Sequence, residues 1–290
     1  MKNLKQVSVV GMGLLGASMT LTIKRDLPRI KVVGYSHRCE TRQKSRQNGL
    51  AHEIAENLTD AVQNSDLVIL ATPIQTFQDY FIEMVPCLKD GAIVTDVGST
   101  KSLSHCWAKK HLPKRVFYVG SHPIAGSEKR GLEYARDDLL TGSACILTKT
   151  AGTDAASVKV LEKFWTSLGC AVQIMTPARH DKIFGNVSHL PHLMATALVN
   201  ANSSADMQFA GRGFIDTTRV ASGPANVWAD ILMTNAPTCV KGIDSLIAQL
   251  KLMRKAIADG DEKKVKKLLQ QAGEKRSKMI QRKIDQKELF

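Results

Sequence analysis

Short apolar runs alternate with helical patterns through the first 175 residues of the chain. Runs of four to six residues rich in Val, Ile and Leu predict strands, and 3.6-residue periodicity predicts helices at 14–25, 74–88 and 155–168. This alternation is typical of a Rossmann-like α/β fold with a doubly wound, mostly parallel sheet, which binds ligands at the carboxyl ends of its strands. The predicted strands are residues 7–10, 31–35, 67–71, 92–97, 116–119, 144–147 and 171–175.

After residue 175 the pattern changes to long stretches of helical periodicity. We therefore predict two domains, 1–175 with the sheet and 176–290 all helical. Apolar faces on the last helices, such as 243–253, predict a homodimer formed through them, with packing inside one chain as the alternative. The predicted helices of this second part are residues 178–202, 227–234, 239–258 and 261–284.

A glycine-rich turn joins the first predicted strand to the first predicted helix. Gly11, Gly13 and Gly16 form the pattern Gly-x-Gly-x-x-Gly, with Leu14 and Leu15 between the last two. In this context the glycines permit a tight turn, close approach of the backbone to a pyrophosphate, and close packing of helix on strand. The helix N-terminus then offers free N–H groups to the phosphates. The turn predicts a dinucleotide site.

The end of the second predicted strand favours NADP over NAD. An NAD site usually has a carboxylate there for the ribose 2′-hydroxyl, but this chain has Ser36, His37 and Arg38. Their hydroxyl, ring and guanidinium donors fit a 2′-phosphate, although Arg38 could also simply begin the next helix. Thr72 and Pro73, which follow the strand at 67–71, are also predicted to contact the coenzyme.

Composition narrows the range of partners. The net charge of +13 suits anionic small molecules such as phosphates and polycarboxylates. The basic C-terminal stretch has no interleaved aromatic residues, so we expect no nucleic-acid partner, and no apolar run is long enough to predict a membrane span. The six cysteines are scattered and predict neither a disulfide framework nor a metal site. Such usage is typical of the reducing cytoplasm, where we expect the protein.

Two strand-end segments carry candidate chemistry. Ser99 follows the strand at 92–97 and could present its hydroxyl to a substrate oxygen or cap the next helix. Lys101 is interpreted as a phosphate or substrate contact, or as a solvated lysine. His122 is expected on a strand-end loop beside the coenzyme, where a neutral imidazole is a good general base. Glu128, on the same loop, could orient it.

The helical part adds a second group of polar residues. His189 and His192 lie three positions apart and are expected to face the same way into a substrate cleft, with Pro191 kinking the helix between them. His180 and Asp181 are interpreted as a surface or capping pair.

Arg219 also belongs to this group. It follows a glycine-rich turn, and its guanidinium group can form two parallel hydrogen bonds to a carboxylate. An arginine in such a position is, however, usually solvated.

Together these motifs resemble the prephenate/arogenate dehydrogenase family of tyrosine biosynthesis. The segment Gly-Ser-His-Pro-Ile-Ala-Gly-Ser-Glu at 120–128 is the most diagnostic of five motifs that occur in the family's order. The resemblance implies an NAD(P)-dependent oxidative decarboxylation of prephenate or arogenate. The other matching segments are 11–18, 96–101, 188–192 and 213–219, with Trp228 following.

The resemblance also implies a role for each matching residue. His122 would take the proton of the substrate's C4 hydroxyl during hydride transfer, and Ser99 would bridge that hydroxyl and the coenzyme. Arg219 would grip a substrate carboxylate and His192 would contact the substrate. The His-Leu-Pro-His form is more similar to prephenate users. The resemblance further implies a gating or effector-sensitive acid at Glu128 and a pocket cover at Trp228, contributed by either subunit.

Two alternatives remain open at this point. One is another two-domain dehydrogenase, of the β-hydroxyacid or pyrroline-carboxylate type, which joins the same two architectures. The other is a non-catalytic NADP-sensing dimer, which would need neither His122 nor Ser99.

Overall fold

The computed structural model describes residues 4–125 and 131–285 of the chain. A six-stranded parallel sheet lies at its centre, with the strand order β3-β2-β1-β4-β5-β6. This confirms the predicted doubly wound fold. The strands are β1 (Gln6–Val10), β2 (Lys31–Tyr35), β3 (Glu53–Ile54), β4 (Leu67–Leu70), β5 (Ile93–Asp96) and β6 (Phe117–Tyr118).

A second, smaller sheet departs from the predicted single sheet. Its strands are β7 (Gly120–Pro123), β8 (Ala144–Thr148) and β9 (Ala171–Met175), with β7 antiparallel and β9 parallel to β8. The predicted strands at 144–147 and 171–175 therefore belong to this sheet, while β3 and β7 were not predicted. β3 has only two residues, and β7 contains no β-branched residue that would signal a strand.

Alternate residues of the central strands enter two separate cores. Val7, Val9 and Ile69 pack on one face, while Val10 and Leu70 pack on the other. Both faces are covered, which explains why these strands are continuous apolar runs. The helices of this part are α1 (Leu14–Asp26), α2 (Cys39–Gln47), α3 (Leu58–Val62), α4 (Phe77–Met84), α5 (Ser102–His111) and α6 (Ala155–Ser167), with 3₁₀ turns at Ile74–Thr76, Val85–Cys87 and Leu132–Tyr134.

The chain after Met175 is helical as predicted, but its first helix is not uniform. A π-helical turn, Gly185–His189, separates α7 (Pro177–Phe184) from α8 (Leu190–Asn200). Pro191 lacks an N–H group and stands at the start of α8, so the wide turn lies where ordinary helical pairing would be broken. The following elements are α9 (Ser204–Met207), α10 (Arg212–Thr218), a 3₁₀ turn at Arg219–Ser222, α11 (Ala225–Thr234), α12 (Ala236–Ala258) and α13 (Glu262–Asp285).

The chain forms two compact units, Met1–Cys239 and Val240–Phe290. Two carboxylates from the helical segment fasten it to the sheet segment within the first unit. Asp181 accepts hydrogen bonds from the backbone N–H groups at the start of α5, and Asp230 accepts from those of Ile74 and Gln75. The division into domains at residue 175 stays a prediction, since helices on both sides of it share one compact unit. No helix in the described ranges combines the length and apolarity needed to cross a bilayer.

Candidate active site

The glycine loop lies at the carboxyl edge of the parallel sheet. Gly11 has φ = 109°, and a Cβ there would lie 2.5 Å from the carbonyl oxygen of Ala71. A Cβ on Gly16 would lie 1.8 Å from the carbonyl oxygen of Gly11, whereas one on Gly13 would meet nothing within 4 Å. Two of the glycines are thus required by the fold, and the third keeps the surface of the loop open.

The first backbone N–H groups of α1 have no side-chain cap. The N-cap is Gly13, which has no side chain to bond the first N–H groups, and the first turn, which includes Leu14 and Leu15, has no acidic residue. The N-terminus of this 13-residue helix therefore keeps its donors and its positive dipole end available for an anion. Thr72 lies beside the loop, since its Cγ2 is 3.0 Å from the Cβ position of Gly11. Pro73 follows it directly.

The turn after β2 is polar and basic, and it contains no carboxylate. Ser36 is buried and its hydroxyl accepts a 3.4 Å hydrogen bond from the backbone N–H of Arg38. His37 and Arg38 are exposed. Arg42, which was not predicted, donates to the carbonyl oxygens of Ser36 and His37 at 2.8 and 3.0 Å and thereby fixes the turn.

His122 lies within β7 and not on a loop as predicted. It pairs with Ile146 of β8. The preceding residue, Ser121, explains why this sequence is held as a strand. Its hydroxyl bonds Thr95 of β5 at 2.7 Å and accepts from the indole N–H of Trp165 at 3.0 Å. Because Thr95 is the penultimate residue of β5, His122 is placed near the carboxyl edge of the parallel sheet.

A chain of hydrogen bonds runs from the partly buried His122 into the helical segment. The Nδ1 atom of His122 lies 2.8 Å from Nε2 of His180, and Nδ1 of His180 lies 2.9 Å from Oδ1 of Asp181. His180 is fully buried, so its interpretation as a surface residue was wrong. The capping part of that interpretation is correct, since Asp181 caps α5. Phe184 packs against both imidazole rings, with centroids 5.0 and 4.5 Å away.

The environment keeps both histidines neutral at physiological pH. Burial lowers the pKa of His122 well below its ordinary value, and the nearby His180, Lys101 and His189 lower it further. Burial also lowers the pKa of His180. Burial alone would raise the pKa of Asp181, but hydrogen bonds from His180 and from the start of α5 bring it below its usual value. Asp181 is therefore an ionised acceptor.

Lys101 is neither solvated nor exposed to a ligand, contrary to its interpretation from the sequence. Its side chain and that of Asp96 are both 0% exposed and form an ion pair. The ammonium also donates to the carbonyl oxygen of Ser121 at 2.7 Å, while Asp96 accepts from Tyr118 and from the backbone of Gly98. This pair fixes the loop that carries Ser99 to the strand that carries His122.

His189 and His192, in the helical segment, both contact Trp228. The ring of His192 stacks on Trp228 of the same chain, with centroids 3.6 Å apart and planes 9° apart, and His189 meets Trp228 edge-on at 6.3 Å. His192 is 6% exposed and its Nδ1 is buried without a hydrogen-bond partner in the described part of the chain. Asn235, which was not predicted, lies 3.2 Å from Nδ1 of His189 and donates to the backbone oxygen of Asp181 at 2.9 Å.

The remaining predicted residues are Ser99, Arg219 and Glu128. Ser99 is half-buried and is not the N-cap of α5, which is Lys101. Arg219 begins a 3₁₀ turn that packs against α8, the helix of His192. Glu128 lies outside the described residues. Within the described ranges, no three His, Cys, Asp or Glu side chains are placed to hold a metal ion.

The structure therefore brings His122, His180, Asp181, Asn235 and His189 into one polar network. Sequence reasoning missed Asn235 and the inward orientation of His180. Residue type carried no signal for either, because both depend on contacts between segments far apart in the chain.

Comparisons with known proteins agree on one family. The model described as the nucleotide-binding domain of prephenate dehydrogenase matches residues 19–174, and that of its dimerization domain matches 176–271. The cyclohexadienyl dehydrogenase of Zymomonas mobilis is 32% identical over 89% of this chain and 90% of its own length. Prephenate dehydrogenase from A. aeolicus, solved with hydroxyphenyl propionate and NAD+, superimposes with a TM-score of 0.89 at 32% identity, over 96% of this chain and 99% of that one. Synechocystis arogenate dehydrogenase gives 0.82 at 28% identity, over 94% and 99%.

Proposed function

We propose that this chain, which belongs to the prephenate dehydrogenase family, catalyses the NAD(P)-dependent oxidative decarboxylation of prephenate to 4-hydroxyphenylpyruvate. The family consists of oxidoreductases, and the resemblance inferred from the sequence motifs is thereby confirmed. The observation that carries the proposal is the state of His122. Its Nδ1 is held by His180, and its Nε2 has no partner among the described residues.

This arrangement suits a general base. A hydride leaves carbon readily only if the electrons of the attached oxygen move inward, so the hydroxyl proton must be removed at the same time. His122 is neutral and can accept that proton on Nε2. The bound coenzyme supplies the hydride acceptor. Loss of CO₂ then leaves an aromatic ring, which makes the overall reaction favourable.

The coenzyme fits residues that the fold leaves open. The uncapped start of α1 and the empty space above Gly13 would hold the pyrophosphate, and Thr72 and Pro73 line the adjoining edge. We propose NADP as the preferred coenzyme, because the turn after β2 presents the exposed side chains of His37 and Arg38 and no carboxylate.

The coenzyme preference is tested by replacing Arg38 with alanine. A lost charge-assisted contact of about 1.5–3 kcal/mol predicts a fall of roughly 10- to 150-fold in kcat/KM for NADP, with NAD little changed. Arg29→Ala is the matched control, since Arg29 is also exposed but precedes β2 at the opposite edge of the sheet. A wild-type enzyme that uses NAD better than NADP would contradict the assignment.

The substrate pocket is proposed to form around His192 and Trp228. The unpartnered Nδ1 of His192 is a buried polar atom that a bound substrate could satisfy, and Trp228 holds the ring in place by stacking. Arg219 is proposed to bind a substrate carboxylate, Ser99 to bridge the substrate hydroxyl and the coenzyme, and His189 to support the pocket. Glu128 is proposed as a gating acid.

The activity is tested by a spectrophotometric assay that crosses prephenate and arogenate with NAD and NADP. We expect reduced coenzyme and an aromatic product, with prephenate preferred. His122→Asn should lower kcat by about 10²–10⁴. Turnover by that variant within a few-fold of wild type would refute the assignment of the base.

The alternative dehydrogenase classes are not favoured, because the family match extends through both segments of the chain. A non-catalytic coenzyme sensor would need neither a neutral base with an open nitrogen nor a buried network behind it. The crossed assay separates these possibilities, since only the proposed activity gives an aromatic product.

We also propose that the protein is a homodimer through its C-terminal helices. Val240, Ile247, Leu250 and Ile257 follow one another at spacings of seven, three and seven on α12, and each is 42–63% exposed. Such a spacing places them on one face, as in a coiled-coil seam, and a second copy of the chain would cover it. The matching family model is described as a dimerization domain.

The dimer is tested by light scattering. The wild type should have twice the 31.8 kDa mass of one chain. The double variant Leu250→Glu, Ile257→Glu should have half the wild-type mass, while Lys251→Glu on the same exposed helix should not change it. A single-chain mass for the wild type would refute the dimer.

The cytoplasm remains the proposed location. All six cysteines lie in the described ranges and are free, as expected in a reducing compartment.

A further inference from the structure

We propose that His180 is a positioning residue that fixes the tautomer of His122, so that Nε2 of His122 is the unprotonated nitrogen facing the substrate. The proposal rests on the proposed function for its catalytic meaning. Its physical basis is the direction of each hydrogen bond in the chain from His122 to Asp181.

The direction is set at the Asp181 end. The Asp181 carboxylate is ionised, and its oxygens accept backbone hydrogen bonds at 2.8 Å from both Lys101 and Ser102. An ionised carboxylate can only accept, so the proton between Asp181 and His180 is on Nδ1 of His180. The position of Asp181 is itself fixed, since it caps α5 and its backbone oxygen is held by Asn235.

The state of His180 then determines that of His122. His180 is fully buried, and burial lowers its pKa, so it carries one proton only. With that proton on Nδ1, its Nε2 has a lone pair and must accept. The 2.8 Å contact therefore requires a proton on Nδ1 of His122, and the neutral His122 ring keeps its lone pair on Nε2. Nε2 is the atom without a partner in the described residues.

The same chain stabilises the product of proton transfer. When His122 takes the substrate proton on Nε2, its ring becomes positive and its Nδ1–H still faces an acceptor on His180. The negative charge of Asp181 stabilises that positive ring through the fully buried His180. Phe184 packs against both rings and restricts their rotation. His180 does not touch the substrate in this scheme.

Two substitutions of His180 distinguish its contact with His122 from its contact with Asp181. In His180→Gln, the side-chain carbonyl reaches approximately as far as Nε2 and can still accept from His122. In His180→Asn, the shorter side chain can still donate to Asp181 but ends short of His122. The matched control is His52→Asn, because His52 accepts a 3.0 Å hydrogen bond from the backbone of Val32 on a part of the sheet remote from His122.

The first measurement is the ¹⁵N spectrum of the histidine rings, with His122 assigned by comparison with His122→Asn. The wild type and His180→Gln should both show a protonated Nδ1 and a bare Nε2 at position 122. In His180→Asn that pattern should be lost. A wild-type His122 that carries its proton on Nε2 overturns the proposal. This measurement needs no turnover, so a wild type with the expected spectrum but no dehydrogenase activity refutes the proposed function and not the tautomer.

The second measurement is how the kinetic effect of each variant divides between kcat and KM. His180→Asn should lower kcat by about 10²–10⁴, by analogy with loss of the correct tautomer in serine proteases, with KM for substrate and coenzyme changed less than about 3-fold. His180→Gln should retain kcat within about 10-fold of wild type. Equal losses in both variants, or a His180→Asn kcat within about 3-fold of wild type, overturn the proposal. The melting temperature, compared with that of His52→Asn, shows that each variant is folded.

Discussion

Replacement of Lys101 by methionine tests the buried ion pair at the base of the site. The pair has no solvent access, so the substitution leaves the Asp96 carboxylate buried without its cation. Breaking a buried pair in this way costs about 3–5 kcal/mol of unfolding free energy. Asp96 keeps its hydrogen bonds from Tyr118 and Gly98, which offset part of the loss, although the backbone oxygen of Ser121 loses its donor. We therefore expect a loss of about 3–4 kcal/mol.

The assay is thermal unfolding. At roughly 2–4 °C per kcal/mol for large domains, the melting temperature of Lys101→Met should fall by about 6–16 °C. Lys31→Met is the control, because Lys31 forms a 2.7 Å pair with Glu53 in which both side chains are about half exposed. An exposed pair of this kind contributes about 0–1 kcal/mol.

A double variant identifies the cause of the loss. Asp96→Asn removes the charge that Lys101→Met leaves uncompensated, so the two substitutions together should cost less than the sum of their separate effects. The reasoning is refuted if Lys101→Met melts no lower than Lys31→Met, or if the effects of the two substitutions simply add.

Three further predictions concern the site. Burial lowers the pKa of His122, and the base works only when it is unprotonated. We therefore expect kcat/KM to stay level as the pH falls through 6.5 and to decline only at lower pH. A decline centred above pH 6.5 would contradict this. Gly16→Ala should lose about 2–3 kcal/mol of stability by overpacking, whereas Gly13→Ala should keep the wild-type melting temperature and weaken coenzyme binding in a titration. Trp228→Leu removes the stack on His192, and at about 0.5–1.5 kcal/mol should raise the KM for substrate by roughly 2- to 12-fold, with little effect on the KM for coenzyme.

The sequence was sufficient to predict the parts of the fold that are signalled locally. The strands of the central sheet are apolar on both faces, and the glycine loop has its own spacing, so β1, β2, β4 and β5 were found with only small differences at their ends. Each of these signals lies within about ten residues of chain, which is why pattern reading detects them.

The features that shape the site are set by contacts between distant residues. Asp181 caps a helix whose first N–H lies 80 positions earlier, and Asp230 bonds Ile74 across 156 positions. The strand that contains His122 has no strand-forming composition and is held by Ser121, Trp165 and the sheet. No local sequence pattern indicates such distant partners. The sequence therefore favoured a solvated Lys101 and a surface position for His180.

The two aspartate caps have a consequence for engineering. A hybrid enzyme that joined the nucleotide-binding portion of this chain to the helices of a relative would inherit two helix ends whose N–H donors depend on the incoming portion. Such grafts should succeed only when the donor protein supplies carboxylates at the equivalents of Asp181 and Asp230. The two portions of the chain are therefore matched to each other through these caps, and portions from different enzymes are not freely interchangeable.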